Sequence, residues 1–390
     1  MSKIAKLLAS SALSRNVELQ PAAGPGAKIF PVTHEQGQYI EEVRRYDGAD
    51  VPCVVVDTVQ SQANRKEDAL FSAAQDGLIE IPDMVVDFSE VPDLPENPGE
   101  VSVWKVSHRS ADASLRDSLH EGQEFPFSPL GRRFASANKK DDSVFLEFAP
   151  NCLLYGIWDS TGIKGGLGRK LTRLVDSEII AINTRKGVHR GVRIDALSIS
   201  SEIQIVKGGS NGWDLASADE AAAKKSKKKE AGPVDENAAA PRIAANPSAV
   251  NHSSVPYSSH GGVSCDRLEL SIVIDVTGLN QLQFGSPARN QAGREWLLIT
   301  ALVAEEIALR HLNLRSRCIL RVAKPAKWEV ITHEGSSELE ISLDELLEAH
   351  KAATAKLKEA GISFAKTKLL PQAKLAELYR KSQKIQLVKG

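Results

Sequence analysis

Cysteine is scarce in this chain of 390 residues: Cys53, Cys152, Cys265 and Cys318 lie about a hundred positions apart and never form C-x-x-C. That spacing excludes a zinc ribbon and a disulfide framework, and each thiol sits in an apolar run where a buried, inert role is the commoner outcome. Long hydrophobic runs are missing too, since no stretch approaches the roughly 18 apolar residues of a membrane span. The N-terminal MSKIAKLLASSALS has neither a sustained apolar core nor a cleavage site, so a cytoplasmic protein is expected. Net charge is absent: 49 basic against 50 acidic side chains leave −1. A uniformly basic nucleic-acid-binding domain is therefore excluded. Aromatics are few, at 5%, yet 42% hydrophobic residues suffice for a sizeable core.

Catalytic signatures are wanting as well. There is no G-x-S-x-G elbow, no Walker loop, no G-x-G-x-x-G followed by its helix and acid, and no Cys with a local His. His108 and Asp112 stand one helical turn apart, but no second histidine completes a metal set, which favours a capping role. Asp57, Asp159 and Asp195 stay open as a divalent-metal set, each with an ordinary use as turn or cap. The expectation is a protein without enzymatic activity, metal or cofactor.

What the chain does have is charge segregation. Residues 1–100 carry 8 basic and 17 acidic side chains, most of the excess between Asp76 and Glu100. Residues 160–193 reverse this with 8 basic against 2 acidic. A neutral protein with so basic a segment still presents a positive surface to a polyanion. Asp83, Asp87 and Glu90 form an acidic patch that, were copies of the chain to assemble head to tail, would meet the basic patch of the next.

Residues 215–262, with twelve Ala, the lysine run 224–229 and Tyr257 as their one aromatic, read as a disordered linker or mobile loop. Before it, VPCVVVDTV (51–59) reads as a buried strand. A helix follows that Ser61 would cap, with Ala63, Leu70, Phe71 and Ala74 facing inward. VSVWKVS (101–107), SVFLEFAP (143–150) and CLLYGIW (152–158) read as strands, and 111–119 as a helix. After the linker come a strand over 263–279, a long apolar helix over 294–312 and a strand at 318–323. C-terminal helices follow, with a capping box at Ser342 and Glu345, a stop at Gly361 and a start at Pro371. The predicted division is 1–214, 215–262, 263–335 and 336–390. Strand–helix–strand on both sides of the linker predicts an α+β, ferredoxin-like (RRM-like) core with large insertions.

Three polar constellations stand out. At the junction Asp57–Lys66, a helix N-terminus lies beside Gln60, Gln62, Asn64 and Arg65, which together suit phosphate as well as ordinary capping. In GIWDSTGIKGGLGRK (156–170), glycines alternate with Lys164, Arg169 and Lys170, which suits a sugar–phosphate backbone. Trp158 there offers a face for stacking a base. His189–Asp195, with Arg190 and Arg193, extends the basic run through Arg173 and Arg185.

The strings VVVDTVQSQANRKEDAL, SHRSADASLRDS, LLYGIWDSTGIKGGLGRKLTRLVDSEI and GVRIDALSI follow one another in a distinctive order. In these the chain resembles the RAMP-type backbone subunit of the type I-U (I-G) CRISPR surveillance complex, a member of the Cas-seven group, most densely over 51–200. The resemblance implies a modified RRM-like palm with an inserted thumb and helical elements. Copies would line up along a CRISPR RNA guide whose spacer pairs with a target DNA strand. The implied partners are further copies of the chain, an RNA-processing or capping subunit, a large subunit and a recruited helicase-nuclease. By motif match the resemblance assigns RNA binding to Gln62, Asn64 and Arg65, then to Lys164, Arg169, Lys170 and Arg173. Arg109 and Arg116, seven apart on one presumed helical face, join them with Arg193 and Trp158. The contrasting expectation is a metal-dependent endoribonuclease that cuts target RNA with a loop aspartate.

Overall fold

A computed structural model describes residues 3–34, 37–162, 168–207, 212–217, 244–364 and 366–389. It falls into two units, one of 1–184 with 264–390, the other of 185–263.

The chain opens with α1 (Lys3–Leu8), β1 (Ala12–Pro21) and the hairpin of β2 (Ile40–Tyr46) and β3 (Ala49–Asp57). Helix α2 (Val59–Gln75) follows at once. An excursion carries β4 (Asp83–Asp87), β5 (Glu100–Ser102), a short α3 (Ala113–Arg116), β6 (Ser118–His120) and β7 (Gln123–Glu124). Helices α4 (Pro129–Ser136), α5 (Ser143–Phe148) and α6 (Asn151–Tyr155) lead into the small hairpin β8 (Ile157–Trp158) and β9 (Lys170–Leu171). The long β10 (Val175–Arg193) comes next.

In the second unit β11 (Ile205–Lys207) pairs with both β12 (Trp213–Leu215) and β13 (Ala244–Ala245). Strand β14 (Val255–Asp275) returns the chain to the first unit. There follow α7 (Val276–Gln281), α8 (Pro287–Ala308), β15 (Asn313–Arg315), β16 (Cys318–Lys324), β17 (Trp328–Thr332) and β18 (Gly335–Leu339). The C-terminal elements are α9 (Leu343–Glu359), β19 (Lys366–Pro371) and α10 (Ala373–Lys389).

The main sheet has the order β15-β16-β1-β14-β10-β3-β2. Within it β16-β1-β14-β10 reproduce the fourth-first-third-second strand order of a ferredoxin-like core, with β1 antiparallel to both neighbours. Its two helices are α2 and α8, which pack on each other. The β2–β3 hairpin is an insertion that widens the sheet and places α2 after β3 rather than after β1. The fold class read from the sequence is thus borne out as α+β with a modified palm.

Register follows the period-2 pattern: Leu13, Val17 and Leu19 of β1 sit opposite Ile274, Leu270 and Leu268 of β14, and all six are buried. Helix α8 is buried continuously from Trp296 to Glu305, wedged between α2 and α9.

Several local expectations change. Residues 143–148 and 151–155 form α5 and α6, not strands. Each apolar run is short, and Pro150 and the left-handed Gly156 (φ +80°) break it into single helical turns. Strand β5 ends at Ser102, where the Ser102 hydroxyl accepts from the Trp104 amide and turns the chain. The expected helix at 111–119 shrinks to α3 because Ser118 joins β6, paired with Pro371 of β19. The strand β19 interrupts the C-terminal helices, so Pro371 ends a strand and α10 starts at Ala373. Within 215–262, residues 244–262 are ordered rather than linker: β13, a 3₁₀ turn at Pro247–Val250 and the start of β14. Backbone pairing with β11 supplies there what side-chain composition did not. The lysine run 224–229 lies outside the described residues. The capping box at Ser342 and Glu345 and the stop at Gly361 (φ +80°) form as expected.

Candidate nucleic-acid interface

Strand β3 delivers Asp57 to the foot of α2, whose N-cap is Thr58 rather than Ser61. Thr58 is extended and its hydroxyl accepts from the Ser61 amide, while the Ser61 hydroxyl donates to Asp57 at 2.7 Å. The helix therefore starts three residues early, and Gln62 is buried. Its amide nitrogen donates to Asp57 and its oxygen accepts from Lys66 Nζ. Arg65 donates to Asp57 at 2.8 Å and to the Leu314 carbonyl at 3.0 Å. Lys66, 1% exposed, also donates to Ser177 at 2.7 Å and lies 3.1 Å from Glu305 of α8. Gln62 and Arg65 thus belong to a largely buried polar chain that ties β3, α2, β10 and α8 together, while Gln60 and Asn64 of the junction face solvent.

Arg109 is held in the same way. It forms a bidentate pair with Glu67 at 2.8 and 2.9 Å and donates to the Gly156 carbonyl at 3.2 Å. Asn151 also donates to Glu67 at 2.9 Å. Arg109 adopts φ +50°, a left-handed conformation that costs on the order of 1 kcal/mol and persists because these bonds fix it. Burial pushes the Glu67 carboxyl up despite Arg109 beside it. Arg116, at the end of four-residue α3, does not share a helical face with Arg109. It pairs with Asp117 at 3.0 Å and donates to Thr161 at 3.1 Å. Arg169 forms a fork on the fully buried Asp142, both bonds 2.7 Å.

Asp112 caps α3, accepting from the Ser114 amide at 3.0 Å, the role expected of it beside His108. Asp159 accepts from the Thr161 amide, and Asp195 from the amides of Leu197, Ile199 and Ser253. Among the described residues no group of three metal-ligating side chains gathers. The Cys152 and Cys318 thiols are buried and Cys265 half-buried, and burial pushes all three up to about 11, as inert thiols require.

The β8–β9 hairpin, by contrast, carries exposed groups. Trp158 is 62% exposed and directly opposite Lys170, whose Nζ lies 4.6 Å from the ring centroid. Beside it an open groove of about 320 Å³ is lined by His108, Arg109, Tyr155, Trp158 and Arg173. Arg173 links this groove to α2, donating to the Val59 carbonyl at 2.8 Å, and burial pulls its guanidinium down. Gly156 makes the arrangement possible, since a Cβ there would meet the Leu171 carbonyl oxygen at 3.0 Å. Aromatic face, cation and groove floor are what a single strand of nucleic acid uses. Of the residues singled out from sequence, Arg109, Trp158, Lys170 and Arg173 come together here.

Lys164 lies outside the described residues. Arg193 belongs to the second unit, where it donates to Asn251 and to the carbonyls of His252 and Ser253. Sequence reasoning missed Glu67, Asn151, Asp142 and Glu305, the acceptors that hold the cations. One signal was available: Lys66 lies three after Ala63 and four before Leu70, on the inward stripe of α2.

Residues 13–186 match the family described as CRISPR-associated protein GSU0053. The matched segment contains α2, the excursion and both strands of the β8–β9 hairpin, so the exposed tryptophan and its groove lie within the matched residues. The resemblance carried by the strings of 51–200 is borne out to that extent. No curated protein matches the chain. A crystal structure of Csc2 from Thermofilum pendens is similar over 93% of this chain and 81% of its own, at 10% identity and a TM-score of 0.27, too slight a likeness to bear on function. Among the described residues no helix is long and apolar enough to cross a membrane.

Proposed function

We propose that this chain is a guide-RNA-binding backbone subunit of a CRISPR surveillance complex of type I-U (I-G), without catalytic activity of its own. The observation that carries the reading is the exposed Trp158 with Lys170 over its face, beside the groove lined by His108 and Arg173, inside the segment that matches a CRISPR-associated family. Sequence specificity in such complexes is delegated to base pairing, so a protein needs cations and stacking faces rather than a base-reading code. Lys170, Arg173 and Arg116 would hold the guide backbone, Trp158 would stack an unpaired base, and the exposed Asn64 of α2 would add a polar contact. Further copies, a target DNA strand and the other complex subunits complete the assembly.

The test is purification together with the proteins encoded beside it. An RNA of uniform length should copurify, and it should be lost from the Trp158→Ala, Lys170→Ala double variant. A preparation with no RNA contradicts the reading. Mg²⁺-dependent cleavage of RNA complementary to the guide contradicts the absence of catalysis.

A further inference from the structure

Glu67 has no part in the RNA contacts proposed above, yet it lies at the root of the groove. It is buried on α2, 2% exposed, next to Lys66. Its carboxylate accepts the Arg109 fork and the Asn151 amide, and the fully buried Asn151 also donates to the Val103 carbonyl at 3.0 Å. Three hydrogen bonds to one charged group fix its rotamer. Arg109 passes the restraint on. Its side chain, 12% exposed, lies over the Tyr155 ring at 5.6 Å and donates to the Gly156 carbonyl. Gly156 is the last residue before β8, and its left-handed backbone lets the Leu171 and Arg173 backbone close on it. Across the groove, Arg173 is tied to the same helix at the Val59 carbonyl. Burial pulls the Arg173 guanidinium down, the Arg109 charge adds to that, and the Glu67 carboxylate opposes it.

We infer that Glu67 is a positioning residue for RNA: through Arg109 and the Gly156 carbonyl it sets the angle at which the hairpin presents Trp158. The inference rests on the RNA-binding reading and deepens it by adding a residue that never touches the ligand. Strands β8 and β9 have two residues each, too few to hold their own orientation. Their direction is therefore imposed from below. A binding group works only when locked side chains keep it within roughly 0.5 Å of its productive geometry. Here the locked side chains are Glu67 and Arg109, and Trp158 follows Gly156 by two positions. If Glu67 only stabilised the fold, its effect on RNA would be independent of Trp158. A positional link makes the two non-additive.

The test is a double-mutant cycle in affinity for single-stranded oligouridine, measured on the full chain well below its melting transition. Trp158→Ala is expected to weaken binding about 5- to 100-fold in the otherwise wild-type protein. In the Glu67→Gln protein, which has already lost about as much, the same change should cost less than about 2-fold, the margin within which independent sites add. Arg109→Lys keeps the charge but cannot hold the fork and the Gly156 carbonyl together. It should abolish the Trp158 effect in the same way, and it carries the cycle if Glu67→Gln does not fold. In the free protein labelled with fluorotryptophan, the fluorine resonance that vanishes in Trp158→Ala should shift or broaden in Glu67→Gln. Penalties that simply multiply, with an unmoved resonance, overturn the positioning role and leave Glu67 a stabilising residue. If RNA binds the wild type and Trp158→Ala changes nothing, the hairpin is not the RNA contact, and the functional reading fails there together with the role of Glu67.

Discussion

At the scale of single residues, cations that suggest phosphate binding in the sequence turn out to differ sharply in what they touch. Arg65, Arg109 and Arg169 each meet a carboxylate that is almost fully buried. Removing one partner leaves the other charge desolvated and unpaired, which typically costs about 3–5 kcal/mol. Arg169→Ala is therefore expected to lower unfolding free energy by about 3 kcal/mol in a denaturant titration, and the Arg169→Ala, Asp142→Ala double variant should recover part of that loss. A variant with wild-type stability contradicts the internal role. The identity of these residues as strong hydrogen-bonding groups was legible from sequence; their partners were not, because Asp142 and Glu67 lie 27 and 42 positions away from the arginines they hold. Lys170 and Trp158 face each other across a hairpin of two-residue strands, too short for any periodicity to announce.

At the scale of elements, α9 shows how local signals and tertiary burial combine. Ser342 and Glu345 close a full capping box, so Ser342→Ala should cost about 1 kcal/mol. Farther along, His350 is buried against Trp296 of α8 with its Nε2 unpartnered, and burial pulls its pKa down to about 4. In the unfolded chain an ordinary histidine binds a proton near pH 6.5. Between pH 6.5 and 4 the unfolded state thus holds more protons than the folded state, and stability must fall as pH falls through that window. His350→Phe is expected to flatten this part of the stability–pH curve; an unchanged slope contradicts the assignment. The helix and its cap were readable in the sequence. The burial of His350 was not, since it depends on α9 docking on α8.

At the scale of the whole molecule, the charge segregation has an internal answer. The acidic segment after α2 lies beside the C-terminal strand: β4 and β19 run parallel, with Asp87 opposite the Leu369–Leu370 end of the strand. Lys358 pairs with Glu80, Lys366 with Glu100, and Lys368 with Asp87. Lys368 and the Ser89 side chain hold the Asp87 carboxyl well below the usual range, so this contribution is present above pH 4 and fades as pH falls below it. Asp83 accepts from Ser102 within the same sheet. Asp83 and Asp87 of the acidic patch sketched from sequence as a contact between copies are therefore engaged within one copy. Neutralising Asp83 and Asp87 should lower thermal stability first, and a loss of self-assembly with unchanged melting would contradict that. Composition revealed both charged segments, but the pairing partners come from the far end of the chain.

The central claim is that RNA is held at the β8–β9 hairpin, not by the buried arginines. It is tested most directly by single-stranded RNA affinity measured across a salt series for Trp158→Ala and Lys170→Ala, with melting followed in parallel. The account predicts that Trp158→Ala weakens binding about 5- to 100-fold at every salt concentration with little change in slope. Lys170→Ala should shallow the slope of log affinity against log salt by about 0.7, the value for one phosphate contact to a single strand. Wild-type affinity and wild-type slope in both variants would contradict it.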